Sequence, residues 1–214
     1  MTLKLYCFGE SGNAYKAALP LELSGLEWEP IYVDFFNGAA RSPEYAKTVN
    51  AMGEVPALVD GDLKLSQSGV IQSYITEKTG KFGGNTPEEK REVLRWVLWD
   101  NSKLSAMAGP TRFLMNFLDP DKRPEQVIAF QKGRLKASYT ILNTHLTQRD
   151  WIVGRGVTNA DFSCCSYLYY DEPFGFDRKD WPGIDAWLDR IADLPGWKHP
   201  YDLMEPAFPR KKSQ

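Results

Sequence analysis

The chain is short of several things that would place it in large classes of protein. Its 214 residues include three cysteines and two histidines. Cys164 and Cys165 are adjacent and no C-x-x-C occurs, so a disulfide framework is not expected and a reducing compartment is. His145 and His199 are far apart in sequence and lack metal-ligand spacing, which argues against a metal site. No apolar run approaches the roughly 18 residues of a membrane span, and the opening MTLKLYCFGE lacks a signal-peptide pattern. Excess charge of one sign is missing too. With 26 basic and 28 acidic side chains the net charge is −2, which gives no footing for nucleic acid or an anionic membrane surface. The Arg210-Lys211-Lys212 run is short enough to be a solvated end. A cytoplasmic protein without metal, nucleic acid or membrane is the expectation.

What is present is ordinary for a folded domain: 43% hydrophobic and 25% charged residues, in a chain long enough for a real core. The first 80 residues alternate strand-like and helix-like pieces. Leu3–Phe8 reads as a strand, Ala14–Leu23 as a helix stopped by Ser24-Gly25, and Trp28–Phe35 as a second strand. Ser42 and Pro43 open a short helix that runs to Val49. Ala57–Asp60 and Leu63–Leu65 form a hairpin around Gly61, and Ser68–Lys78 is a helix ending at Gly80. The order βαβαββα predicts a compact mixed α/β domain over 1–80. Residues 81–86, KFGGNT, read as a linker. From 87 to 214 the apolar spacing is helical, and the expected architecture is all-α. Thr86-Pro87-Glu88-Glu89 has the form of a capping box. Its helix is expected to break near Gly109-Pro110, with further helices at 124–146, 159–170 and 182–193.

Three places in the first domain suggest chemistry. Ser11 opens the first helix, where a hydroxyl and free backbone amides favour negative charge, and the Asn13 amide stands beside it. Val55-Pro56 precedes the third strand; about 5–6% of X–Pro bonds in folded proteins are cis, so these residues alone favour trans. Gln67-Ser68 stands where a strand ends and a helix begins, a position that attracts a carboxylate. Helix capping by Ser11, Ser66 or Ser68 is the bland alternative.

Taken together, Ser11-Gly12-Asn13-Ala14-Tyr15-Lys16, Gly53-Glu54-Val55-Pro56-Ala57-Leu58, Gln67-Ser68 and Val157-Thr158-Asn159-Ala160-Asp161-Phe162 resemble the cytosolic glutathione S-transferases. The N-terminal motif is similar to that of bacterial and theta- or zeta-like members of the serine type. The resemblance implies a thioredoxin-like first domain, a cis Val55-Pro56 bond, and glutathione bound as co-substrate. On this basis Val55, Pro56, Gln67 and Ser68 are the expected glutathione contacts and Ser11 and Asn13 the catalytic pair. A small apolar electrophile would lie near Trp99, Lys103 and Phe113, and the protein would be a detoxifying homodimer. The same resemblance admits glutathione-dependent disulfide or hydroperoxide reduction, or a binding protein without catalysis. Two residues depart from the family pattern: Gln67 stands where most members have glutamate, and Glu54 where lysine or glutamine approaches the glycine carboxylate. Arg41 or Lys103 would then have to supply that cation. Tyr6 and Cys7 read as strand packing, and the Thr158–Asp161 capping box, with Val157 and Phe162 as its staple, as a folding element.

Overall fold

The computed structural model describes residues 2–208, and the Arg210–Lys212 run lies outside them. Two compact units divide the chain, one made of residues 2–81 together with 195–208, the other of 82–194. The helical part expected to run through 214 therefore loses its last described residues to the first unit.

In that first unit, strands β1 (Leu3–Cys7), β2 (Trp28–Tyr32), β3 (Ala57–Asp60) and β4 (Leu63–Ser66) form one sheet in the order β2-β1-β3-β4. β1 runs parallel to β2 and antiparallel to β3, with Leu5 opposite Leu58. The period-two pleat buries Leu3, Leu5 and Cys7, while Tyr6 turns to the other face and meets Tyr45 edge-on at 6.1 Å. Tyr6 is thus a packing residue. β2 stops at Tyr32, three residues short of expectation. Phe35 instead stacks on Phe8 at 4.7 Å, so an aromatic that reads as strand is used in a loop.

Helices α1 (Gly12–Ser24), α2 (Pro43–Thr48) and α3 (Ser68–Thr79) complete this part. Gly25 ends α1 in the left-handed region at φ 80°, where a residue without a Cβ fits at no cost. Ser42 caps α2 by accepting the Tyr45 N–H at 3.1 Å, with Pro43 in the first turn. α1 packs on α3, and Gln72 Nε2 donates to the Lys16 carbonyl at 3.0 Å.

The second unit holds α4 (Pro87–Trp99), a π-helical turn (Asp100–Leu104), α5 (Ser105–Asn116), α6 (Glu125–Leu146), α7 (Asn159–Cys165) and α8 (Pro182–Ala192). Thr86 caps α4 through the Glu89 N–H at 3.2 Å, but the Glu89 carboxylate returns to the Asn85 N–H at 2.7 Å, one residue earlier than a capping box would have it. The expected break at Gly109-Pro110 is absent. α5 runs through both residues, and the irregular turn comes before them. A Cβ at position 109 would lie 2.8 Å from the Tyr167 hydroxyl, so the glycine admits a neighbour rather than stopping the helix.

The Thr158–Asp161 capping box is present, and its carboxylate does more than cap. Asp161 Oδ2 accepts the Thr158 N–H and hydroxyl at 2.8 and 2.9 Å. Asp161 Oδ1 accepts the Ile152 N–H and the Trp187 indole N–H, both at 2.9 Å. Phe162 meets Phe82 edge-on at 5.0 Å. α7 ends five residues early, where the Ser166 hydroxyl donates to the Ser163 carbonyl at 3.1 Å and competes with the helix ladder.

Residues 195–208 then return to the first unit. Their short helix α9 (Pro200–Leu203) packs on α1, and Tyr15 Oη donates to the Lys198 carbonyl at 2.8 Å.

Candidate functional site

The first unit presents two helix starts with serines. Ser11, 7% exposed, is the N-cap of α1; its oxygen accepts the Ala14 N–H at 3.1 Å. Capping is therefore real, and it leaves the hydroxyl proton without an acceptor among the described residues. The backbone N–H groups of Gly12 and Asn13 also lack acceptors there, as the first turn of a helix dictates. Asn13 is half-buried, and its amide has no partner among the described residues. Hydroxyl, amides and helix end together make this spot favourable for an anion.

At the second start, Gln67 precedes α3 at φ 70° and makes no side-chain cap. Ser68 is the first helical residue, buried, with a hydroxyl bonded to nothing described. Neither Ser66 nor Ser68 caps the helix: the Ser66 hydroxyl lies 3.7 Å from Met52 Sδ. The bland reading of this serine pair fails.

The segment before β3 is fixed from behind. Tyr45 Oη and Asn50 Nδ2 both donate to the Glu54 carbonyl, at 3.0 and 2.9 Å. Burial pushes the Tyr45 phenol up, so it remains a neutral donor. Val55-Pro56 is cis, and the Val55 N–H and C=O form no hydrogen bond with described residues. An extended segment with one free donor and acceptor can pair with a peptide backbone.

Glu54 is the functional candidate that sequence reasoning set aside. Its carboxylate accepts from Gln67 Nε2 at 2.8 Å. The residue that departs from the family pattern thus stands beside the Gln67 amide. Sequence spacing alone could not find this, since 13 positions separate the two.

The second unit places its candidates unequally. Trp99 is half-buried against Trp96 at 5.1 Å, Lys103 is exposed in the π-helical turn, and Phe113 is 39% exposed on α5. Trp96 belongs to the core. Lys103 and Arg41, the proposed replacement cations, are both exposed and take part in no ion pair among the described residues.

All three cysteines are buried and none forms a disulfide. Burial pushes the Cys7 thiol up to about 12, which makes it inert. Among the described residues no three His, Cys, Asp or Glu side chains gather as metal ligands, and no helix is long and apolar enough to cross a membrane. His199 lies in the first unit rather than the second, where its Nδ1 accepts the Tyr201 N–H at 3.4 Å and helps start α9. His145 meets the Ile152 carbonyl at 2.8 Å.

This geometry is that of a thioredoxin-like unit with a cis Val55-Pro56 bond ahead of β3, accompanied by a helical unit. The glutathione S-transferase N-terminal domain model matches residues 1–77, and the C-terminal domain model matches 106–195. The chain belongs to the glutathione S-transferase family. It is 28% identical over 195 residues to the disulfide-bond oxidoreductase YfcG of Escherichia coli K12, covering 88% of this chain and 89% of that protein. Among solved structures, a glutathione S-transferase from Xanthobacter autotrophicus Py2 superposes with a TM-score of 0.85 at 29% identity, over 96% of this chain and 98% of that one. A glutathione S-transferase-I bound with lactoylglutathione gives 0.82 at 26% identity, over 95% and 100%.

Proposed function

We propose that the first unit binds glutathione and activates its thiol for transfer to a small apolar electrophile. The observation that carries this is the buried Ser11 hydroxyl, whose oxygen is engaged by the Ala14 N–H while its proton is free to donate. Glutathione's thiol would lie against that hydroxyl, with the Asn13 amide assisting. Its backbone would pair with the free N–H and C=O of Val55, presented by the cis bond to Pro56. The γ-glutamyl carboxylate would sit at the α3 start on the Ser68 hydroxyl and the helix amides. The γ-glutamyl ammonium would meet Gln67 Oε1 and the Glu54 carboxylate beside it, so the charge absent at position 67 is supplied from 54. The electrophile would contact Trp99, Lys103 and Phe113 of the helical unit. The thiolate then attacks the electrophilic atom, forms the carbon–sulfur bond and expels the leaving group.

Disulfide reduction is the second reading, favoured by the relationship to an oxidoreductase. There the thiolate would attack a disulfide sulfur and release one thiol; a second glutathione would release the other thiol and glutathione disulfide. Electrophile, disulfide and hydroperoxide panels separate these chemistries, and no turnover on any of them would leave a binding protein.

Calorimetric titration tests the ligand itself. Ser68→Ala removes a hydrogen bond to a charged group worth about 1.5–3 kcal/mol, so glutathione should bind about tenfold or more weakly. An unchanged Kd would remove Ser68 from the site.

We also propose that the protein is a cytoplasmic homodimer. Met52 and Val70 of the first unit, and Leu94 and Leu98 on α4, are large apolar side chains 49–65% exposed. Apolar area of this kind is buried in subunit contacts. Sedimentation at micromolar concentration should give twice the 24.3 kDa chain mass; a monomer would refute it.

A further inference from the structure

The loop that presents Ser11 is held by residues 205–208. Glu10, immediately before it, is 5% exposed, which is rare for a carboxylate without compensation. Its two oxygens divide between two donors: Oε2 accepts the Ala207 N–H and Oε1 the Phe208 N–H, each at 2.9 Å. Next to it the Gly9 N–H donates to the Glu205 carbonyl at 2.7 Å. A Cβ on Gly9 would lie 2.9 Å from both Pro206 Cα and Tyr201 Cδ1, so backbone meets backbone there. The Phe208 ring closes edge-on over Phe36 at 4.9 Å, and Phe36 in turn meets Phe8. Residues 205–208 thus strap the β1–α1 loop through three hydrogen bonds, two donated by them and one accepted, and a ring.

We infer that Glu10 is a positioning residue for Ser11: by fastening residues 207–208 onto the loop, its carboxylate fixes where the Ser11 hydroxyl points. This rests on the proposed role of Ser11 in thiol activation. A negative charge one residue from Ser11 would oppose a thiolate held there, so electrostatics alone would disfavour glutamate at this position. Its use as a two-pronged acceptor supplies the reason for its place. Neither close relative of the side chain can do the same. Aspartate keeps the charge but is one methylene too short to reach both donors. Glutamine keeps the length but turns an NH₂ toward one of the two N–H groups.

Two readouts test this, one needing no ligand. In the free protein, exchange of the Ala14 amide, which is bonded to Ser11 Oγ, should be about tenfold faster in Glu10→Asp and in Ala207→Pro, which deletes one donor. The double variant should be no faster than either single one, because both break one device. Amides of α6 should be unchanged, which excludes general loosening. With glutathione bound, Glu10→Asp should raise the thiol pKa by about one unit and lower kcat at neutral pH about tenfold, with KM for glutathione little altered. Unchanged Ala14 exchange overturns the proposal. So does a Glu10→Gln protein with a lowered thiol pKa beside an unaltered Glu10→Asp, since that is the pattern of charge alone. If the wild-type protein binds no glutathione, the functional reading falls, and amide exchange still decides the strap.

Discussion

Replacing Ser11 by alanine should lower turnover at neutral pH about ten- to a hundredfold while leaving glutathione affinity nearly intact. The hydroxyl is asked to stabilise a thiolate, and a loss of one to two units of thiol pKa depression translates into that factor at a pH below the new pKa. The sign follows directly. Without the donor the bound thiol ionises at higher pH, so activity should return as pH rises through the raised pKa and the thiol ionises unaided. Ser11 also caps α1, and loss of a cap costs about 0.5–2 kcal/mol, so stability and chemistry need separating. Ser11→Asp keeps a capping acceptor but sets a negative charge against the sulfur. Its melting temperature should stay near wild type while its turnover falls below that of Ser11→Ala. A pH–rate profile with thiolate absorbance of the bound complex checks both variants. If neither curve moves in Ser11→Ala, Ser11 is a cap and thiol activation belongs to Asn13 or the bare helix end. Ser11 is not itself a nucleophile on this account. Among the described residues no base accepts its proton: His199 is engaged at the start of α9 and His145 with the Ile152 carbonyl.

Asp161→Ala should be the most damaging single change to the fold. Its carboxylate gathers two backbone N–H groups, a hydroxyl and an indole N–H, all fully or largely buried. Truncation strands those donors at about 1–3 kcal/mol each, partly offset by relaxation, so a loss of about 4 kcal/mol or more is expected. Against a total stability of about 5–15 kcal/mol that is a large share. At about 2–4 °C per kcal/mol for a chain of this size, the melting temperature should drop by about 10 °C or more. Burial raises the Asp161 carboxyl even against its four donors. A neutral side chain that keeps one acceptor should therefore cost less, and Asp161→Asn should fall between wild type and alanine. Equal melting temperatures for wild type and Asp161→Ala would show that the carboxylate is no hub.

Much of the fold could be read from short-range chemistry. Pro56 and the Gly61 turn fix the β3–β4 hairpin to within one residue, Ser42-Pro43 opens α2, and the Thr158–Asp161 spacing marks the start of α7. Two of the misreadings share one cause. A residue type with a local preference is used instead for a distant contact: Phe35 reads as strand and stacks on Phe8, and Gly109 reads as a break and accommodates Tyr167. The candidate site divides the same way. Ser11, Val55-Pro56 and Ser68 lie at element junctions, which sequence reveals. Glu54 and Glu10 act through partners 13 and almost 200 positions away, and no local pattern announces such pairings.

Residues 195–208 complete the unit that residues 2–81 begin, and this bears on how the chain is made. An N-terminal domain ordinarily folds while the rest is still on the ribosome. Here the face of α1 that receives α9, and the loop that Glu10 fastens, close through pairs 183 and 197 positions apart. Bringing such ends together costs only slightly more entropy than closing a loop half as long, but it cannot happen until residues 198–208 have been synthesised. During translation the helical unit can mature between two halves of its neighbour, and the nascent first unit waits with its α1 surface open. The support that Glu10 gives the Ser11 loop is then acquired late, once residues 205–208 have been made.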